Sequence, residues 1–155
     1  MRLARILLSV FIFSAGIVLA TSGFAASRTI HITHDPGGDL VLYEIKVQVA
    51  RELKLQVIID GVCASACTLF AGLPRSQICV TRRAQFHFHR ARLKKPIPDG
   101  RRILQKANRT MFASYSKGVR QWIMQRGGLS NTMLRMQPRE VARFFRSCDE
   151  QPLVS

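Results

Sequence analysis

The chain has 155 residues, of which 47% are hydrophobic, and its 24 Lys and Arg side chains against 9 Asp and Glu give a formal net charge of +15. This composition excludes a disordered tail and a multi-span membrane protein, and the length excludes a two-domain enzyme. Once a targeting segment of 25 residues is set aside, roughly 130 residues remain, which is enough for one domain with a single hydrophobic core.

The first 25 residues have the pattern of a secretory signal peptide. Their start is positively charged, residues 6–20 are uncharged and largely apolar, and Gly23 and Ala25 are the small residues expected before a cleavage site. The alternative is an uncleaved membrane anchor at residues 6–20, a stretch shorter than the ~20 residues that span a bilayer. Both interpretations export residues 26–155, predicted to be one domain, and the first predicts a periplasmic or secreted protein.

The first predicted unit is a strand, a glycine loop and a helix. Residues 28–33 predict a strand that ends in the turn sequence Asp35-Pro36-Gly37-Gly38. Residues 39–53 have apolar side chains at helical spacing, which predicts a helix with one buried stripe and with Asp39 near its N-terminus. The predicted stripe consists of Leu42, Ile45, Val49 and Leu53.

The strand and helix pattern then repeats. Residues 55–59 predict a second strand, and residues 64–71 predict a short, almost wholly buried helix. Two short strands are expected at residues 77–80 and 84–89. Alternation in the last of these places Phe86 and Phe88 on one face and three polar side chains on the other. The polar side chains are Gln85, His87 and His89.

The remainder of the chain is predicted to be helical. A long helix is expected at about residues 101–126, ending at Gly127-Gly128, with shorter helices around residues 131–136 and 139–145. Strands alternating with helices, followed by a helical tail, predict an α/β domain with a partly parallel sheet.

The chain contains four cysteines, Cys63, Cys67, Cys79 and Cys148. In an exported protein we expect them to form disulfides, for which three pairings exist. A bridge from Cys63 or Cys67 to Cys79 would fasten the short helix to the next strand, and Cys148 would tie down the tail. A zinc site is the alternative, but a Cys-x3-Cys pattern without a second close pair indicates it weakly. No metal or other cofactor is therefore predicted.

Positive charge is concentrated in the second half of the chain. Residues 26–74 contain 4 basic and 5 acidic residues, whereas residues 75–146 contain 18 basic and 2 acidic residues. Such a surface attracts anionic lipid headgroups, acidic peptides or nucleic acid. Nucleic acid is the least available of these to an exported protein and is not expected as a partner. The candidate partners are therefore anionic envelope components, such as lipid headgroups, and acidic peptides. The alternative is a solvated basic face without a specific partner.

Several residues have the character of a serine-nucleophile site. Such a site needs a base near the serine and N–H donors aimed at the developing oxyanion. Ser65 is at the start of the short buried helix, where unpaired N–H groups and the helix dipole favour negative charge. His87 and His89 are on a later strand, and Gly37-Gly38 allows backbone N–H groups to approach a substrate carbonyl closely.

These segments, in this order, resemble the ClpP/crotonase-like superfamily, especially the proteolytic subunit of Clp protease and its small exported relatives. The similarity covers residues 30–91. Asp35-Pro36-Gly37-Gly38 is similar to the family's Ser-Pro-Gly-Gly, and Gly61-x-x-Ala64-Ser65 is similar to its Gly-x-Ala-Ala-Ser. The likeness continues through Cys79 to Phe88-His89. It implies a fold of stacked ββα units, here with a helical C-terminal segment.

The resemblance also implies a role for each site residue. Ser65 is the nucleophile, His89 is the general base with His87 as the alternative, and the N–H groups of Gly38 and Ala66 form the oxyanion hole.

The third member of the family's triad is an Asp, for which this chain has no obvious match. The corresponding residues 130–137 contain no carboxylate, and Asn131 is the nearest substitute, with Asp149 as a second candidate. An amide can fix the histidine tautomer, although it stabilises the imidazolium less than a carboxylate does.

The resemblance finally implies a homo-oligomer, but the family's ATP-driven unfoldase is not expected where ATP is absent. The sequence therefore predicts an exported, ATP-independent serine peptidase or related hydrolase acting on peptides or unfolded proteins. The alternative is a catalytically inactive module whose basic face binds anionic envelope components or a protein partner.

Overall fold

The computed structural model describes residues 28–149, so the predicted signal peptide at residues 1–25 lies outside the described residues. The chain forms a mixed α/β structure, as the alternation of elements predicts. The strands are β1 (Thr29–Asp35), β2 (Gln56–Ala64), β3 (Ile78–Val80), β4 (Gln85–Phe88), β5 (Leu134–Met136) and β6 (Arg146–Ser147). The helices are α1 (Leu40–Glu52), a 3₁₀ helix (Ser65–Gly72), α2 (Gly100–Ser114), α3 (Lys117–Met124) and α4 (Pro138–Val141).

The six strands form one sheet that forks along β2. Strand β1 pairs in parallel along one edge of β2. The other edge is shared, because residues 57–59 pair with β3 and residues 62–64 pair with β4, both in parallel. Strand β6 extends the first branch in parallel, and β5 extends the second branch in antiparallel orientation. The second branch therefore begins where β2 approaches Ser65.

The fork coincides with Gly61. The register between β1 and β2 shifts between Ile32 and His34, and the carbonyl of Thr33 lies so close to Gly61 that a Cβ atom there would overlap it. Glycine is required by this approach, because any side chain would push the two strands apart. The irregularity in β1 and the fork in β2 therefore lie at the same position along the sheet.

Aromatic side chains fill the core beneath β4. Phe86 and Phe88 are fully buried, which confirms the predicted alternation of this strand. The Phe88 ring centroid is 5.3 Å from that of Tyr115 and 6.0 Å from that of Trp122. The Tyr115 hydroxyl is also hydrogen-bonded to the buried hydroxyl of Thr68 at 2.7 Å. These contacts hold the 3₁₀ helix and α3 to the branch of the sheet that contains β4.

Helix α1 buries a different face from the one that the sequence predicted. Its buried residues are Tyr43, Val47 and Ala50. The predicted stripe is exposed, at 50% for Leu42, 53% for Ile45, 41% for Val49 and 57% for Leu53. Both sets recur at helical spacing, so the apolar pattern alone could not decide between them. The N-terminal role of Asp39 is correct, since its side chain accepts a hydrogen bond from the Leu42 N–H.

The C-terminal region also differs from its prediction. The long helix expected at residues 101–126 is two helices, because Tyr115 adopts an extended backbone with its side chain in the core and Ser116 caps α3. The helix expected at residues 131–136 is wrong, since β5 lies there and pairs with β4. The last helix is limited to α4, and β6 was not predicted because two residues are too short to show a periodicity.

The disulfides pair Cys63 with Cys67 and Cys79 with Cys148, with Cα–Cα distances of 5.3 and 4.9 Å. The expected bridge from Cys63 or Cys67 to Cys79 is therefore wrong. Cys79 lies opposite Ile58 in the β2–β3 register, and Cys63 is five residues further along β2. At the rise of an extended chain this is about 16 Å, well beyond the reach of a disulfide.

Two disulfides fit an oxidising, non-cytoplasmic compartment. Within residues 28–149, no helix combines the length and the apolar character needed to cross a membrane.

Candidate functional site

Ser65 occupies a strained turn between β2 and the 3₁₀ helix. Its φ of 56° lies in the left-handed region, which costs a non-glycine residue on the order of 1 kcal/mol. A strained strand-to-helix turn is the geometry that exposes a nucleophilic serine at the end of a sheet. The disulfide between Cys63 and Cys67 spans this turn, and both cysteines are fully buried while Ser65 is partly exposed. The bridge therefore braces the turn from behind and leaves the serine open.

The glycine loop, residues 35–38, packs directly against this turn. Gly37 has a φ of 83°, and a Cβ atom there would lie 2.5 Å from the Ala64 carbonyl oxygen, 2.7 Å from the Ser65 Cβ and 2.8 Å from the Ala66 nitrogen. Only glycine fits both the dihedral angle and the space. The loop therefore lies against the backbone on both sides of the serine.

A carboxylate fixes the conformation of this loop. Asp35 Oδ1 accepts hydrogen bonds from the Gly37 N–H at 2.8 Å and from the Tyr43 hydroxyl at 2.6 Å. Burial, followed by the hydrogen bond and the charge of Asp35, raises the pKa of Tyr43 well above its ordinary value. The phenol therefore remains a donor throughout the physiological pH range, and it ties the loop to α1.

Two backbone N–H groups are available next to Ser65. Ala66 is the second residue of the 3₁₀ helix, where the N–H group has no acceptor within the helix. The Gly38 N–H has no acceptor among residues 28–149. Gly38, Ala66 and Ser65 line one cavity of about 690 Å³, here called the serine cavity. These donors are of the kind that stabilise an oxyanion formed at the serine.

His89 lines the same cavity, and its hydrogen bonding defines its tautomer. The Nδ1 atom is 2.6 Å from the carbonyl oxygen of Arg90. A carbonyl oxygen only accepts, so in the neutral ring Nδ1 carries the proton and Nε2 has the lone pair. Among residues 28–149, Ser65 Oγ and His89 Nε2 have no hydrogen-bond partner, and neither is sealed from solvent. Both reactive atoms are therefore free in a shared cavity.

Arg90 is held in place from the opposite side. Its N–H donates to the Ser130 carbonyl at 2.9 Å, and its Nε donates to Asn131 Oδ1 at 2.7 Å. Asn131 was predicted to contact the histidine, but it contacts Arg90, whose carbonyl oxygen accepts the hydrogen bond from His89 Nδ1. Asp149, the second candidate, follows β6, which belongs to the branch of the sheet that does not contain β4. The group in direct contact with His89 Nδ1 is therefore a backbone carbonyl.

His87 is placed differently from His89. It lies opposite Ala64 on β2, and its Nε2 is 3.1 Å from Gln85 Oε1. It does not line the serine cavity. Burial, and then the charge of Arg135, lower its pKa. Of the two histidines considered as the base, His89 shares the cavity with Ser65.

The remaining walls of the serine cavity come from outside the sheet. Residues 91–94 form one wall, and the side of α2 that carries Ile103, Ala107 and Met111 forms another. A cleft of this volume, with apolar walls and a few convergent polar groups, is typical of a binding site for a small molecule or a short segment of chain. Within residues 28–149, no three His, Cys, Asp or Glu side chains converge as they would around a metal ion.

Three contributors to the site were not identified from the sequence: Asp35, Tyr43 and the Arg90 carbonyl. An Asp two residues before a glycine is typical of a side-chain turn, so Asp35 had a local signal. Tyr43 and the carbonyl had none, because both act through tertiary contacts.

Comparison of the sequence with models of known protein families gives no match, and comparison with characterised proteins gives none either.

Proposed function

We propose that this protein is an exported serine hydrolase, an ATP-independent peptidase with a ClpP/crotonase-like fold. One observation carries the proposal. Ser65, on a strained strand-to-helix turn, lines one cavity with His89 and with the N–H groups of Gly38 and Ala66.

In the proposed acylation step, Ser65 Oγ attacks the carbonyl carbon of a peptide bond while its proton moves to His89 Nε2. The carbonyl oxygen becomes an oxyanion, which accepts hydrogen bonds from the N–H groups of Gly38 and Ala66. Collapse of this intermediate breaks the C–N bond, and the amine leaves with the proton from His89. Water then attacks the acyl-serine with His89 again as the base, which releases the acid and restores the hydroxyl.

The Arg90 carbonyl has the orienting role in this proposal. By accepting a hydrogen bond from the Nδ1–H group, it favours the tautomer in which Nε2 can act as the base, which is one of the two roles of a triad carboxylate. The other role is stabilisation of the imidazolium by a negative charge, which a neutral carbonyl performs less well. We therefore expect a slower nucleophile than in a complete triad.

The sheet supports the fold assignment. A parallel unit of β1, α1 and β2, followed by the 3₁₀ helix and a return to β3 beside β2, is compatible with stacked ββα units. The glycine loop and Ser65 are at the same end of this sheet, as the resemblance implies.

Labelling with a fluorophosphonate tests the proposal, because this probe reacts with activated serines. The oxidised protein lacking residues 1–25 should be labelled, and Ser65→Ala should not. His89→Ala should lose labelling, whereas His87→Ala should retain it. The exposed His34, changed to Ala, is a matched control for the loss of an imidazole.

Absence of labelling in the folded wild-type protein would contradict the hydrolase and favour an inactive binding module. Labelling that depends on His87 and not on His89 would keep the hydrolase but reassign the base.

A further inference from the structure

A second cavity adjoins the serine cavity. It has a volume of about 740 Å³ and is called the arginine cavity here, because Arg90, Arg101 and Arg109 line it. Ala91 and Leu104 line both cavities, so the two share a wall. The arginine cavity is therefore adjacent to the serine cavity.

The charge in the arginine cavity is uncompensated. Among residues 28–149, Arg101 and Arg109 have neither an ion-pair partner nor a hydrogen-bonded acceptor. No acidic residue lines this cavity, and its apolar surface includes Phe112 and Leu129. A guanidinium without a partner, beside an apolar surface, suits a carboxylate on a short aliphatic stem.

The same charge continues into the serine cavity. Arg92 and Lys94 line it, and its single acidic lining residue, Asp39, already uses its side chain to cap α1. A path lined by cations and low-dielectric side chains concentrates anionic groups.

The geometry points to the arginine cavity as a subsite for acidic side chains of peptides whose backbone lies at Ser65, with Arg101 and Arg109 as the specificity-determining residues. This inference rests on the proposed function, because it names the substrate class of the same site. In this inference the carboxylate of a Glu side chain accepts hydrogen bonds from Arg101 or Arg109, while its methylene groups contact the apolar surface.

Binding can be measured without catalysis. In the Ser65→Ala background, two rhodamine-labelled peptides that differ only in having Glu or Gln are titrated by fluorescence anisotropy at physiological salt. We expect tighter binding of the Glu peptide. Arg101→Gln with Arg109→Gln should weaken that binding roughly tenfold or more. The control removes the same charge from α2 outside both cavities, by Arg102→Gln with Lys106→Gln, and should have a much smaller effect.

Equal affinity for the Glu and Gln peptides would overturn the inference. So would equal losses in the two double variants, since binding would then depend on the diffuse charge of the surface. Phosphatidylglycerol vesicles are tested in parallel. Binding to them that depends on Arg101 and Arg109, without a preference for the Glu peptide, would replace the peptide with a lipid headgroup.

Failure of the inference is distinguishable from failure of the hydrolase. Fluorophosphonate labelling of the wild-type protein reports on Ser65 alone, whereas anisotropy reports on the arginines in a variant that has no nucleophile.

Discussion

At the scale of single residues, Ser65 has a backbone conformation that lowers stability and a hydroxyl group that glycine would lack. Its left-handed backbone is a conformation that glycine adopts without strain, yet a serine is present. Gly37 and the disulfide between Cys63 and Cys67 hold the turn in this shape from two sides. Strain that its surroundings maintain around an accessible hydroxyl supports the proposal that this hydroxyl is functional.

Replacing Ser65 separates the two effects. Ser65→Gly should raise the free energy of unfolding by a few tenths of a kcal/mol to about 1 kcal/mol, because relief of the left-handed strain outweighs the greater freedom that glycine gives the unfolded chain. Ser65→Ala retains the strained dihedral angle and should leave stability nearly unchanged. Both variants should lose fluorophosphonate labelling. Urea denaturation measures the first effect, and a Ser65→Gly variant less stable than Ser65→Ala would show that the turn is not strained.

Asn131 provides a second test at this scale, since we propose that it positions His89 through Arg90. Asn131→Ala removes the acceptor of the Arg90 Nε. The Arg90 carbonyl should then move relative to the imidazole, and the labelling rate should fall about tenfold or more. Asn131→Asp keeps an oxygen acceptor and should restore the rate. If Asn131→Ala lowered thermal stability but left the labelling rate and its pH profile unchanged, Asn131 would have only a structural role.

At the scale of elements, the part of the fold that was predictable is the part with local signals. Glycines, caps and apolar runs predicted the β1–loop–α1–β2 order, because these features act over a few neighbouring residues. The buried face of α1 could not be predicted, because the contact of Tyr43 with Asp35 and its edge-to-face contact with Phe70 are tertiary.

The same distinction applies to the site. Ser65 and the glycine loop follow from local turn chemistry. The group that orients His89 could not be predicted from local sequence, because every residue has a carbonyl group. Only the tertiary contacts of Arg90, including its hydrogen bond to Asn131, place this carbonyl beside the histidine.

A pH prediction concerns the junction between β2 and the turn that precedes β4. The hydrogen bond from Arg83, then that from Thr81, lowers the pKa of Asp60 to about 2 from 3.8, with further contributions from the charges of Arg83 and His31. A lowered carboxyl pKa stabilises the fold above the unfolded value, and this contribution is lost as pH falls from 3.8 towards 2. We therefore expect a loss of stability over this range in wild type and a smaller loss in Asp60→Asn.

Denaturant unfolding at a series of acidic pH values makes the comparison. Arg83→Gln removes the principal cause of the shift and should change the profile in the same direction as Asp60→Asn. Parallel pH profiles for wild type and Asp60→Asn would contradict the assignment.

At the scale of the whole molecule, the forked sheet separates the two disulfides. Cys79 joins β3 to the residue after β6 on one branch, across 69 residues of sequence. Cys63 and Cys67 are only 4 residues apart, at the point where β2 enters the other branch and the 3₁₀ helix begins. One bridge therefore constrains the chain over much of its length, and the other constrains the turn at Ser65.

This separation predicts that removing one bridge mainly lowers stability, whereas removing the other mainly slows the labelling of Ser65. Loop-closure entropy assigns about 4 kcal/mol of stabilisation to the Cys79–Cys148 bridge and about 2 kcal/mol to the Cys63–Cys67 bridge. Changing Cys79 and Cys148 to Ser should therefore cause the larger loss in the free energy of unfolding, while the folded protein is labelled at the wild-type rate. Changing Cys63 and Cys67 to Ser should cost less stability but slow labelling, because the turn that holds Ser65 loses its brace. Calorimetry and labelling kinetics are measured on both double variants. If the variant with the larger loss of stability also had the slower labelling, the short bridge would not support the site.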